Sequence, residues 1–81
     1  MKLTSLRALI TAVEEGSLRA AGKRLRISQP ALTKLIRELE RELSTTLLVR
    51  STTGVAATAQ GRALYERALA ADRELAQAVE Q

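Results

Sequence analysis

Gln29, Thr33, Lys34 and Arg37 are side chains that can hydrogen-bond to a base edge or a phosphate, and they stand close enough in sequence to act together. A glutamine can pair with adenine, a threonine can donate or accept, and a lysine can donate to guanine or to a phosphate oxygen. Pro30 among them offers an apolar contact for a thymine methyl group, and Arg37, one turn further on, suits the sugar-phosphate backbone. No comparable set exists for covalent chemistry. The chain has no cysteine and no histidine, which excludes disulfides, thiolate chemistry, the usual zinc sites and the Ser-His and Cys-His nucleophile pairs. The residues therefore describe a binding protein without catalysis, and no cofactor or metal is expected.

These side chains must be held by a helix. Leu32, Leu35, Ile36, Leu39 and Leu43 recur at the spacing that lines one face of an α-helix. At about 100° per residue, Pro30, Thr33, Lys34, Arg37 and Arg41 then point away from that apolar stripe. Ser28 suits the N-cap, and Pro30 is tolerated in a first turn whose N–H groups lack intrahelical partners.

In 81 residues a single small domain is expected, with Leu, Ile, Val and Ala doing the packing because Tyr65 is the one aromatic residue. The net charge of +4 is unevenly spread. Residues 17–37 contain six bases (Arg19, Lys23, Arg24, Arg26, Lys34, Arg37) and no acid, and residues 1–62 carry eleven bases against five acids. Residues 63–81 reverse the sign, with two bases and four acids. A charge run is commonly only a solvated face, but one lying over two adjacent helices favours a polyanionic partner. The uncharged run Ala8–Val13 is too short for a signal-peptide core and is followed at once by Glu14 and Glu15, so a cytoplasmic protein without membrane association is expected.

Ahead of the third helix, Thr4 is expected to cap a first helix over Ser5–Glu15, with Leu6, Leu9, Ile10 and Val13 on one face and Gly16 as its stop. Ser17 then caps a second helix in which Leu18, Ala21 and Leu25 share a face. Gly22 costs roughly 1 kcal/mol against Ala inside a helix, so it signals either close backbone approach or tolerance. A turn of about three residues separates Leu25 from the Ser28 cap, which is the helix-turn-helix arrangement. Ala21, Leu25, Ile27, Leu32 and Ile36 would fix the angle between its helices, leaving the outer face of the second free for a major groove.

Beyond Leu43 the period changes. Leu47–Arg50 and Val55–Ala57 flank the turn-forming Ser51-Thr52-Thr53-Gly54, which predicts a two-stranded wing. Arg50 is placed to reach a phosphate or the minor groove, with Thr52 and Thr53 at the tip. Thr58 then caps a long helix from Ala59 to Val79. Leu64, Ala68, Ala71, Leu75 and Ala78 alternate in steps of four and three along it, a heptad-like seam that predicts a homodimer. The alternative is that the helix folds back on its own domain.

Taken together, Gly16-Ser17-Leu18, Ala20-Ala21, Leu25, Ile27-Ser28-Gln29-Pro30-Ala31-Leu32-Thr33, Leu39-Glu40, Leu47-Leu48-Val49-Arg50 and Thr58-Ala59-Gln60-Gly61 resemble the N-terminal DNA-binding domain of LysR-type bacterial transcriptional regulators. The resemblance covers nearly the whole chain. It implies a mainly α fold with a winged helix-turn-helix over residues 1–58, of three helices and a short two-stranded β wing. It also implies a linker helix over 59–81 that dimerises, and a ligand-sensing domain that would receive any small-molecule effector; that domain is absent from this chain, which is then either a fragment, the preferred expectation, or an unusual stand-alone form. The expected DNA-binding set is Ser28, Gln29, Pro30, Ala31, Thr33, Lys34, Arg37, Arg50, Thr52 and Thr53.

The chain departs from the family pattern in places. Leu18 and Leu48 stand where the family usually has Phe, Gly22 where it has a second Ala, and Ser44 where it has Gly, so a leaner core and a third helix without its left-handed stop are expected. Thr33 replaces the commoner Ser, Lys34 the commoner Arg, and Thr53 a frequent base. The expected partner is double-stranded DNA with paired half-sites, bound sequence-specifically by a dimer. The alternatives are a non-specific nucleic-acid binder and a helical dimerisation module. The A-form major groove and the lack of stacking aromatics disfavour RNA, and dimerisation alone leaves the basic front of the chain unexplained.

Overall fold

The computed structural model describes residues 1–80; Gln81, the last residue of the expected linker helix, lies outside them. The order is α1 (Leu3–Glu15), α2 (Leu18–Leu25), α3 (Gln29–Leu43), β1 (Leu48–Ser51), β2 (Gly54–Ala57) and α4 (Ala59–Glu80). This is the winged helix-turn-helix with a following long helix that the sequence predicts.

Each helix is bounded by local chemistry. The Ser17 hydroxyl accepts from the Ala20 N–H at 3.1 Å, and that of Ser28 from the Ala31 N–H at 3.2 Å. Gly16 closes α1 at φ 65°, where it meets no steric penalty. The expected Thr4 cap does not form: the Lys2 carbonyl already accepts from the Leu6 N–H, so the ladder starts earlier and Lys2 is an N-cap without a side-chain bond. The expected loss of the left-handed stop after α3 is also corrected, because Ser44 adopts that conformation itself at φ 51° and its N–H bonds the Arg41 carbonyl. Arg26 does the same after α2, at φ 59°.

The core is built from small and aliphatic side chains in two groups. Ala8 and Ala12 of α1, Ala21 of α2, and Leu32 and Ile36 of α3 form one, with Leu18, Leu25, Ile27, Leu35 and Leu48 packed around it. Leu9, Leu39 and Leu47 form the other, bordered by Leu6, Val13, Leu48 and Leu64. Leu18 and Leu48 thus fill their places without aromatic rings. Leu43, expected in the stripe, is exposed, because it falls one turn beyond Leu39, the last α3 residue the core covers.

Glycines mark where backbones touch. The wing pairs antiparallel, with Arg50 opposite Val55 and Ser51 opposite Gly54, so the turn itself is Thr52-Thr53. A Cβ on Gly54, whose φ is 147°, would stand 2.1 Å from the Gly16 carbonyl oxygen, and the Val55 N–H bonds that oxygen at 3.0 Å. The hairpin is thereby fastened to the α1–α2 corner. Gly22 shows close approach rather than tolerance, since its Cβ would lie 3.0 Å from the Ile27 carbonyl oxygen in the turn before α3.

A left-handed backbone costs an ordinary L-residue about 1–2 kcal/mol, whereas glycine pays about 0.5–1 kcal/mol in unfolded-state entropy instead. Ser44→Gly should therefore stabilise the domain by roughly 0.5–1 kcal/mol and raise its melting temperature by about 2–8 °C. Thermal unfolding followed by circular dichroism checks this; a lower midpoint contradicts the strain assigned to Ser44.

Candidate nucleic-acid interface

The site is assembled around the peptide of Leu47, just before the wing. The Glu40 carboxylate of α3 accepts from the Leu47 N–H at 2.8 Å and from the Leu48 N–H at 3.3 Å. The Leu47 carbonyl accepts from the Thr58 N–H at 2.9 Å, and the Thr58 hydroxyl donates to the Thr46 carbonyl at 2.7 Å while accepting from the Gly61 N–H. A Cβ on Gly61 would fall 2.0 Å from the Leu47 oxygen. Glu40 and the Thr58-x-x-Gly61 sequence thus pin α3, the wing and α4 at one point.

On α3 the polar residues lie where the period placed them. Ser28, Gln29, Pro30, Ala31, Lys34 and Arg37 are exposed and Thr33 is half-buried. Gln29, Pro30, Thr33, Lys34, Arg37 and Arg41 border one open groove along the helix. A second groove of about 390 Å³ lies between α3 and the wing, where Gln29, Thr33 and Arg37 face Arg50 and Val49. Thr52 and Thr53 are exposed at the hairpin tip. Arg41, absent from the expected DNA-binding set, continues the line of Arg37 one turn on, and the outer-face period is the signal that finds it.

Electrostatics favour an anion on this surface. All three acids of α3 are engaged elsewhere: Glu42 with the N-terminal amine at 2.9 Å, Glu38 with Lys2 at 3.9 Å, and Glu40 with the backbone N–H groups of Leu47 and Leu48. Lys34, Arg37, Arg41 and Arg50 have no ion-pair partner among the described residues. The acid-free run is less free than its sequence implies, because Arg24 turns back to Glu14 at 2.8 Å and Glu15 at 3.3 Å on α1. Its hydrogen bond to Glu14 raises the Arg24 pKa above the usual value.

The expected seam on α4 is divided. Leu64 packs on the Leu9–Leu39–Leu47 group and Ala68 is 5% exposed, both covered by their own chain, since α4 lies along α1 with Arg7 bonded to Asp72 and Tyr65 to Glu14. The first half of the helix thus packs on its own domain as the fold-back alternative expects. Ala71, Leu75 and Ala78 remain exposed, together with Val79.

Comparison with known proteins agrees with this geometry. The family described as "Bacterial regulatory helix-turn-helix protein, lysR family" matches residues 3–62. The chain is 44% identical over 68 residues to the HTH-type transcriptional regulator TfdS of Cupriavidus pinatubonensis, covering 84% of this chain and 23% of that one. It is 40% identical over 78 residues to the nitrogen assimilation regulatory protein nac of Escherichia coli K12, covering 96% and 26%. Among solved structures, the BenM DNA-binding domain in complex with catB site 1 DNA superposes with a TM-score of 0.94 at 36% identity, covering 99% of this chain and 89% of that one. The CbnR DNA-binding domain in its DNA complex gives 0.90 at 35%, covering 99% and 92%. The chain therefore spans about a quarter of the length of the first two relatives.

Hydrogen bonds to a charged group contribute about 1.5–3 kcal/mol, so Glu40→Ala, which strands two backbone donors, should destabilise the domain by that amount, with Glu40→Gln less severe. Urea unfolding of the two variants tests it. A loss below about 0.5 kcal/mol, at the bottom of the range for an ordinary hydrogen bond, contradicts the central place given to this carboxylate.

Proposed function

We propose, because this chain belongs to the lysR family of bacterial regulatory helix-turn-helix proteins, that residues 1–58 bind double-stranded DNA sequence-specifically for a transcriptional regulator. The observation that carries this reading is the α3 face, on which Gln29, Pro30, Thr33, Lys34 and Arg37 line one open groove while every acid of that helix is occupied elsewhere. With α3 in the major groove, its N-terminal residues meet base edges. Arg37 then holds the backbone, and Arg50 on the wing reaches a phosphate or the minor groove. Ser28 and Ala31 set the start of the helix, with Thr52 and Thr53 at the tip beside the duplex.

Binding proceeds by contact, without catalysis or cofactor. Tyr65, the sole aromatic ring, is half-buried, hydrogen-bonded to Glu14 and covered by Arg62 at 5.3 Å, which removes it as a stacking platform for single strands. No helix among the described residues is long and apolar enough to cross a membrane, and the cytoplasm, where the DNA is, is the proposed location. The helix Ala59–Glu80 serves as a linker, and the full-length protein's effector response belongs to a separate sensing domain, as the family resemblance implies.

The roles along α3 separate by measurement. Gln29→Ala and Thr33→Ala should each change base preference at one position by about 1–3 kcal/mol, whereas Arg37→Ala and Arg50→Ala should weaken all duplexes and flatten the salt dependence by about one unit per subunit. Binding to a selected operator and its single-base variants, at fixed salt and then across a salt series, distinguishes them. Unchanged base preference in the Gln29 and Thr33 variants, with altered preference in Arg37→Ala, overturns this division of roles.

We further propose a homodimer through the distal part of α4, where Ala71, Leu75, Ala78 and Val79 are exposed on a helix whose first half is already covered. Leu75→Lys would place a charge in that contact, loosen the dimer and reduce cooperative binding to paired half-sites. Sedimentation at micromolar concentration decides, and a monomeric parent protein that still fills both half-sites cooperatively rules the arrangement out.

A further inference from the structure

We infer that Arg19, Lys23 and Arg26 form a second contact with the phosphate backbone, on the outer side of α2 and distinct from the α3 face and the wing; this rests on the DNA-binding reading above. Arg19 and Lys23, four residues apart, share one face of α2, and Arg26 follows at the helix end. The opposite side carries Leu18, Ala21 and Leu25 into the core. All three bases are exposed, and none has an ion-pair partner among the described residues. Arg24 occupies Glu14 and Glu15, the two acids that α1 presents to α2, so the other bases have no acid of the neighbouring helix left to meet.

Arg26 has the most specific placement. It stands at φ 59°, a conformation that glycine adopts without penalty, so the backbone gains nothing from an arginine there and what the residue contributes is its guanidinium. The mount is rigid. The Arg26 N–H bonds the Lys23 carbonyl at 3.2 Å and the Ile27 N–H bonds the Gly22 carbonyl at 3.0 Å. Gly22 lets the turn close on α2, its missing Cβ lying 3.0 Å from the Ile27 oxygen and 3.6 Å from the Gln29 nitrogen. Three residues of chain confine Arg26 to within about 11 Å of Gln29. In helix-turn-helix proteins the first helix crosses the backbone while the second reads bases. Seating Gln29 at a base edge therefore keeps Arg26 within reach of the phosphates that flank the groove, and Lys23 and Arg19 extend that basic line back along α2.

The test compares the unaltered protein with Arg26→Gly, Arg26→Lys and the Arg19→Ala/Lys23→Ala pair. Each is titrated with a selected operator duplex and a random duplex of equal length across a salt series, with a thermal melt of each protein. Arg26→Gly should melt higher than its parent yet bind both duplexes more weakly, with the log–log salt slope shallower by about 0.9 per subunit. Arg26→Lys should keep the parent slope, and the paired variant should lose about 1.8 per subunit. If Arg26→Gly melts higher but retains affinity and slope, or if Arg26→Lys loses as much slope as Arg26→Gly, the phosphate contact is overturned. A parent protein that binds neither duplex overturns the DNA-binding reading itself, and the second contact with it.

Discussion

How α3, the wing and the start of α4 stand relative to one another depends on how the backbone at Leu47 is bonded. Its N–H is held by Glu40 from the reading helix and its carbonyl by Thr58 at the start of the long helix, while Gly61 lies against the same oxygen. A two-stranded hairpin is marginal alone. Here the wing is fixed at its base by this knot and near its tip by the Val55 bond to Gly16. Arg50 is positioned relative to α3 by these two anchors together, the Glu40 carboxylate at the base of the wing and a backbone–backbone bond near its tip.

The core that supports this frame contains no aromatic ring, and its largest fully buried side chains are Leu9, Leu32, Leu39 and Leu47. Close approach substitutes for bulk. Alanines on α1 and α2 and glycines at 16, 22, 54 and 61 bring backbones together. Non-glycine residues hold two left-handed corners, after α2 and after α3. The first of these leads directly into the cap of the reading helix.

Charge is allocated with similar economy. Acids of α1 and α3 are satisfied within the fold by Arg24, the N-terminal amine, Lys2 and the backbone N–H groups of Leu47 and Leu48. The ion pairs among these contacts lie at the surface and contribute little to stability, about 0–1 kcal/mol each. Their larger consequence is that the bases on the outer faces of α2, α3 and the wing are left to attract a polyanion without local competition.

Periodicity in the sequence was enough to determine the three helices, the hairpin, the serine caps and which side of α3 is apolar, because each follows from local hydrogen bonding or from which residues recur on one face. The same logic reaches Gln29, Thr33, Lys34 and Arg37, whose direction is fixed once Leu32, Ile36 and Leu39 are buried. What required the tertiary structure involves partners distant in sequence. Leu64 and Ala68 read as seam positions, but α1 and the core cover them; Leu43 continues the stripe, but the core stops one turn short of it. Arg24 belongs to a basic run in sequence, yet is neutralised by acids nine and ten residues earlier that only the α1–α2 corner brings near. Ser44 and Arg26 adopt backbone conformations that their side chains disfavour, because the closing hydrogen bonds of α3 and α2 outweigh the local preference. Propensity and period act over a few residues, and these outcomes were decided by packing across the whole chain.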